Sequence, residues 1–377
     1  MSRLACLVAC VALLSSGCSS SAPSPQPSPS PVATVATDSL VPPTPTPTPT
    51  PTPRPTPRTS GLAWTTRAVT VYPQASDDVA AQVHLGGAFP VYLTSRTAAV
   101  EGAIWDEISW GTPSRSATGW LPASAVSLDR PAGIATAGFD ALDPTLADYL
   151  TDLGARIGVV AYDVTRGVTY TYNATHTYFA ASSMKVPIML TLLSQCEAKG
   201  REPTGREVWL LQTMIENSNN NSAEELYEDI GAQKGIDAFM ARVGIAGLTP
   251  GKPGWWGHST ISPTTMVALL TRLQDGTVLN DAHRKLALGY MEHIDSAGLV
   301  GIGDSSPAGA TIAMKDGWTT ALDGTGTWVV NTSGIVTLGG ETYILSVYTA
   351  GDPALSTGWK IVRHVAKVVG EKLMPEA

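Results

Sequence analysis

Cysteine is scarce in this chain. Of four in 377 residues, Cys6, Cys10 and Cys18 fall within the first eighteen positions, and Cys196 stands alone in everything that follows. A lone thiol excludes an internal disulfide, and Cys196 reads as a buried apolar residue. Positive charge is in deficit too: 24 Lys and Arg against 32 Asp and Glu give a net charge of -8. Without clustered Lys and Arg, a nucleic-acid-binding surface is not expected. The histidines (His84, His176, His258, His283, His293, His364) show no His-Glu-x-x-His or other paired spacing, so no metal centre and no cofactor are implied. The N-terminal apolar run, LACLVACVALL, is too short to span a bilayer as a permanent helix.

That run has the form of a processing signal: Arg3 gives a minimal charged start, the apolar stretch follows, and then SSGC. LLSSGC resembles a bacterial lipobox, cut before a cysteine that becomes lipidated, with Ser15 where Leu is usual. The resemblance implies a signal peptide over 1–17 and a lipid anchor at Cys18, which would hold the protein to a membrane in the extracytoplasmic cell envelope. A plain secretory signal is the alternative. Residues 18–60 are mostly Ser, Pro, Thr and Ala and include a Thr-Pro repeat from Pro43 to Pro57, with too little apolar bulk to offset their own ordering entropy. About 15 residues of polyproline II, at roughly 3.1 Å each, would make a stalk of about 45 Å.

From 61 to 130 the pattern turns to short strand-like runs, AVTVY, AQVHL, FPVYL, AIWDEISW and GWLPASAVSL, separated by turn residues. Such spacing suggests a small all-β barrel. The order of these runs resembles a bacterial SH3-like domain, a module that often attaches to cell-wall peptides or acts as a spacer. Trp105, Trp110 and Trp120 either form a peptide groove or are core and rim aromatics of a small barrel.

Residues 131–377 alternate differently. DPTLADYLTDLG has helical spacing, and RIGVVAYDVTRG with VTYTYNATHTYFA reads as a two-stranded hairpin. A helical body runs from SSMKVPIML to ALGYMEHID. The strand-like runs ATIAMKDGW, TWVVNTSGIVTL and TYILSVYTA follow, then a closing helix, STGWKIVRHVAKVVGEKL. This order makes an α+β domain plausible, a five-stranded antiparallel sheet with helices on its faces.

Within that body, AASSMKVPIML places a lysine in an apolar run. Ser182 and Lys185, three apart, share a helix face, whereas Ser183 diverges from it. Pro187 is tolerated only near a helix start, so the helix begins just upstream with Ser182 at its N-terminus. A lysine at the buried end of such a helix is desolvated, which lowers its pKa and makes it a base for a neighbouring hydroxyl. The bland alternative is a serine cap and a lysine reaching out to solvent.

Two further motifs bear on the choice. MIENSNNNSAEEL puts Ser218 and Asn220 in Ser-x-Asn spacing at a turn between helices, and AMKDGW puts Lys315 and Gly317 in a strand-like run. Ser-x-x-Lys, Ser-x-Asn and Lys-x-Gly, in that order, resemble the three active-site motifs of the penicillin-recognising serine enzymes. STISPTTMVALLTRLQDG further resembles the turn and helix after the omega loop of class A β-lactamases, and the likeness covers about 240 residues. It implies a β-lactamase/transpeptidase-like fold in which Ser182 is the nucleophile, Lys185 its base, and Ser218 the proton relay to the leaving group. Asn220 would hold the substrate's amide carbonyl, and Lys315 would place positive charge between Ser218 and the substrate. Backbone N–H groups of Ser182 and of Trp318, which follows Gly317, would form the oxyanion hole.

The sequence also departs from that family. The stretch GIAGLTPGKPGWWGHSTISP contains no Glu or Asp, where class A β-lactamases carry the glutamate that activates the deacylating water. His258 is either a substitute base or an exposed loop histidine. Glu224 stands six residues after Ser218, where Asn is usual, and would supply the missing carboxylate unless it points away from Ser182. Asp316 replaces a Thr or Ser whose hydroxyl helps bind a substrate carboxylate. Facing the pocket, it would repel such a group; otherwise it pairs with a cation such as Lys315. Trp255 and Trp256 either line a substrate channel or pack their loop.

Three readings follow: a lipid-anchored serine hydrolase acting through an acyl-enzyme on cell-wall peptide, β-lactam or small amide and ester substrates, with weak or no β-lactam turnover; a working β-lactamase with a different deacylating base; or a non-catalytic envelope-binding protein that keeps the fold.

Overall fold

The computed structural model describes residues 60–112, 115–129, 135–252, 254–322 and 324–374. The lipobox with Cys18 and the Thr-Pro repeat lie outside the described residues. Seven strands come first: β1 (Gly61–Thr65), β2 (Val69–Val71), β3 (Val83–Leu85), β4 (Pro90–Val100), β5 (Ala103–Thr112), β6 (Arg115–Pro122) and β7 (Val126–Ser127). Five of them form an antiparallel sheet in the order β6-β5-β4-β1-β7, whose inward residues Ala63, Val91, Leu93, Ile108 and Leu121 are buried. Trp105 and Trp110 are buried as well; five apart on one strand, they point to opposite faces. Trp120 lies 5.4 Å from the guanidinium of Arg96. The three tryptophans do not line one groove.

The other two strands, β2 and β3, pair with each other and leave this sheet. Through β8 (Ala135–Gly138) they join the sheet of the larger domain, Leu85 standing opposite Ala137. The hairpin expected from the sequence is β9 (Ile157–Asp163) and β10 (Val168–Tyr172). A small ribbon follows, of β11 (Tyr178–Phe179), β12 (Leu248–Thr249) and β13 (Thr260–Ile261), then β14 (Thr311–Thr320), β15 (Trp328–Leu338) and β16 (Glu341–Thr349). The five expected strands are adjacent, in the order β14-β15-β16-β9-β10, but the sheet does not stop at five. It continues through β8, which runs parallel to β10, to β3 and β2. An open β10 edge would leave its backbone groups unpaired, and β8 covers it. The approach is close: a Cβ on Gly86 would stand 1.8 Å from the Thr136 carbonyl oxygen, so only glycine fits there.

The helices are α1 (Pro144–Leu153), α2 (Lys185–Ala198), α3 (Gly205–Glu216), α4 (Asn220–Asp229), α5 (Ala232–Val243), α6 (Pro263–Gln274), α7 (Asp281–Glu292), the single turn α8 (Ile302–Ser305) and α9 (Leu355–Leu373). Their starts are chemically marked. Asp143 accepts from the Leu146 N–H at 2.7 Å with Pro144 at the first position of α1, and Thr204 with Glu207 forms a capping box on α3. Helices cover both faces of the sheet. On β16, Tyr343 reaches Gly370 of α9 while Tyr348 meets Ser183 just ahead of α2, and residues five apart on a strand face opposite ways. The α2 helix is buried on nearly every side, consistent with its unbroken apolar sequence.

Candidate active site

The turn Ala181–Met184 is a single 3-10 turn that runs directly into α2. It carries Ser182 and is held from three directions. The Ala180 N–H donates to the Ser259 carbonyl at 2.8 Å, the Asn331 Nδ2 donates to the Ala180 carbonyl at 2.9 Å, and Ser183 Oγ donates to the same carbonyl at 2.7 Å. Ser183 also shares a 2.9 Å hydrogen bond with the Tyr348 hydroxyl, so it is bound into the body. Ala181 and Ser218 both adopt left-handed backbone, with φ of 47° and 54°. Each costs on the order of 1–3 kcal/mol, and the two flank the same lysine.

That lysine is Lys185, with none of its surface exposed. Its Nζ stands 3.0 Å from Ser182 Oγ, 3.0 Å from Ser218 Oγ, 2.7 Å from the Ser218 carbonyl oxygen and 2.8 Å from Asn220 Oδ1. The Trp256 ring closes the remaining side, its centroid 5.1 Å away. Burial, reinforced by the charge of Lys315 and opposed by Asp316, pulls the Lys185 pKa from 10.5 down to about 6. Near neutrality the group is therefore mostly an amine, with two N–H donors and one lone pair. The carbonyl of Ser218 and Oδ1 of Asn220 can only accept, so they take the two N–H bonds. The lone pair is left facing the hydroxyls of Ser182 and Ser218, either of which can donate to it. This is an arrangement for moving a proton between two serines. It also fixes the Asn220 amide, since Oδ1 is engaged and Nδ2 remains as a donor.

The sheet side is supplied by β14, the edge strand. A Cβ on Gly317 would stand 2.6 Å from the Ser182 nitrogen and 2.9 Å from that of Ser183. Gly317 is thus where strand and turn touch, and it acts by its missing side chain. Trp318 lines the pocket and packs edge-on against Trp359 at 5.5 Å. Lys315 is fully buried, but among the described residues its hydrogen bonds go to Asp316, 3.0 Å to Oδ1, and none goes to Ser218. The expected bridge from Lys315 to Ser218 is therefore not made. Asp316 does not face the pocket: it is 2 % exposed, lies against Gly298, and has its Oδ2 enclosed without a hydrogen-bond partner. Burial raises its carboxyl above the usual range, and Lys315 opposes this.

A pocket of about 450 Å³ opens over Ser182, lined by Asn220, Glu224, Trp255, Trp256 and Trp318 among others. Both tryptophans of the loop therefore face it. Glu224 faces it too, half-buried, and makes no hydrogen bond or ion pair among the described residues. His258 is not an exposed loop histidine. It is half-buried between Phe179 and Trp255, its Nε2 enclosed without a partner, and burial lowers its pKa below 6.5. Tyr348, Asn331 and Ser259, which hold the turn, were not singled out from sequence. Their contacts reach across 79 to 165 positions for the two sheet residues and the loop, and no local spacing marks them. Among the described residues, no three His, Cys, Asp or Glu side chains gather as metal ligands.

Residues 141–206 and 208–373 match the model of the Beta-lactamase enzyme family. Solved structures share the fold at low identity. The TLA-3 extended-spectrum β-lactamase aligns with a TM-score of 0.56 at 19 % identity, covering 62 % of this chain and 98 % of its own. A class A β-lactamase representative from Bacteroides cellulosilyticus aligns with a TM-score of 0.53 at 16 % identity over 62 % and 96 % of the two chains. PBP-A gives 0.54 at 17 % over 61 % and 96 %. No curated protein matches the chain.

Proposed function

Since the chain belongs to the β-lactamase enzyme family, we propose that it is an exported serine hydrolase that forms an acyl-enzyme at Ser182 with cell-wall peptide, β-lactam or small amide and ester substrates. The observation that carries this reading is the dry Lys185 amine, 3.0 Å from each of two serine hydroxyls. In acylation the Lys185 lone pair takes the Ser182 proton as Oγ attacks the carbonyl carbon. Negative charge on the carbonyl oxygen falls to the backbone N–H groups of Ser182 and Trp318, and Asn220 Nδ2 holds the substrate amide. Ser218 protonates the leaving group and recovers its proton through Lys185. Asp316 turned toward Lys315 supports weak recognition of a β-lactam carboxylate, because position 316 offers no hydroxyl and the Lys315 ammonium is paired, which leaves Thr319 as the strand's hydroxyl at the pocket.

A working β-lactamase with a different deacylating base is the second reading, favoured by Glu224 in the pocket. A non-catalytic binding protein would have no use for a buried lysine between two serines. The lipid anchor at Cys18 and the SH3-like character of residues 61–130 belong to the same proposal: an enzyme held off a membrane on a proline-rich stalk.

Intact-protein mass spectrometry tests the reading. With a penicillin and with a 4-nitrophenyl ester, the wild type is expected to gain an acyl mass that Ser182→Ala does not. No adduct from either reagent on folded wild-type protein would refute it.

A further inference from the structure

The pocket raises a question that acylation leaves open, namely what activates the water that must release the acyl group. Among the described residues, Glu224 is the one acidic side chain lining the pocket. It sits four residues after Asn220 on α4, so the two share a face with Cβ atoms about 6 Å apart. Asn220 Oδ1 touches Lys185, which touches Ser182 Oγ, so Glu224 stands one helical turn from a residue of the Lys185 network and lines the same pocket as Ser182. It is uncommitted among the described residues, with no hydrogen bond or ion pair to tie it down. Of the other titratable groups nearby, Asp316 is packed away against Lys315; His258 lines the same pocket but has its Nε2 enclosed, which leaves Glu224 as the uncommitted carboxylate.

We propose that Glu224 is the general base of deacylation, resting on the acyl-enzyme reading above. Glu224 removes a proton from a water whose oxygen bonds to the ester carbonyl carbon. The tetrahedral intermediate collapses, the bond from carbon to Ser182 Oγ breaks, and the carboxylic acid product departs. Oγ takes a proton from the Lys185 and Ser218 network, and the proton held on Glu224 replaces it, so one water is consumed and the enzyme is restored. The helix α4 thus supplies a carboxylate that the 244–263 loop lacks.

The test follows the 4-nitrophenyl ester adduct over time by intact mass in the wild type, Glu224→Gln, Glu224→Asp and Ser182→Ala. The adduct is expected to form at a similar rate in wild type and Gln variant but to decay at least about a hundredfold more slowly in the latter, the scale of a lost general base. The Asp variant, one methylene shorter, should fall between the two. Equal decay in wild type and Gln variant, a wild-type adduct that never decays, or a Gln variant that loses acylation along with decay would each overturn the assignment. If Ser182→Ala acquires the same mass as wild type, the acyl-enzyme reading itself fails, an outcome distinct from the others.

Discussion

Replacing Lys185 with Met should change how stability depends on pH, and the direction follows from the burial of the amine. In the fold its pKa lies near 6, and in the unfolded chain it returns to 10.5. Between those values the unfolded state binds a proton that the native state does not, so stability rises with pH by up to about 1.36 kcal/mol per unit. Lys185→Met removes the titration and keeps most of the apolar bulk. It also strands the Ser218 carbonyl and the Asn220 amide oxygen, but that cost does not vary with pH. The quantity to read is therefore the difference in slope. Urea unfolding at matched ionic strength from pH 7 to pH 9 should show the wild type gaining about 3 kcal/mol on the variant across those two units. Groups that do not touch Lys185 titrate alike in both proteins and cancel. Parallel profiles would mean that Lys185 keeps its proton in the fold. An ammonium has no lone pair, so the proton-transfer account of the site would fall with the prediction.

Two further substitutions bear on the strand side of the site. Gly317→Ala drives a methyl group to within 2.6 Å of the Ser182 nitrogen; the turn and β14 must separate, and the rate of ester acylation should drop by on the order of a hundredfold while the melting temperature moves by a few degrees. Asp316→Asn leaves the Lys315 ammonium buried without its carboxylate and should destabilise the protein by roughly 3–5 kcal/mol, measured by urea unfolding at pH 7; a loss under 1 kcal/mol would show that the two groups are not a buried ion pair.

Much of this site was legible because its parts are local. Ser182 and Lys185 are one helical turn apart, Pro187 marks the start of α2, and Ser218 and Asn220 sit together at the entry to α4. A helix-face argument separates Ser182 from Ser183 before any fold is known, and Ser183 is indeed turned to Tyr348. What sequence could not supply depends on chain segments far apart. Whether Asp316 faced the pocket turned on the loop through Gly298 that receives its carboxylate. The extension of the main sheet was hidden because β8 is the weak pattern ATAG, with four small or β-branched residues and no alternation of bulk. Its place beside β10 comes from the edge it covers.

The charge arrangement around Ser182 constrains what the pocket can prefer. Lys185 is mostly neutral at pH 7, and Lys315 spends its charge on Asp316 in a buried pair. The residues lining the opening then contribute one carboxylate, Glu224, and three indole rings, Trp255, Trp256 and Trp318. Among the described residues that line the pocket, an anionic group on a substrate would find no free cation to receive it and Glu224 to repel it. A neutral acyl group with apolar surface meets the opposite situation: aromatic faces give contact area at little conformational cost, and the exposed Trp255, half of whose surface is open to solvent, gains most by being covered. The hydroxyl lost at position 316 and the carboxylate present at 224 therefore act in one direction. On the function proposed above, both would disfavour substrates anchored by a carboxylate and favour amides or esters recognised through their acyl side.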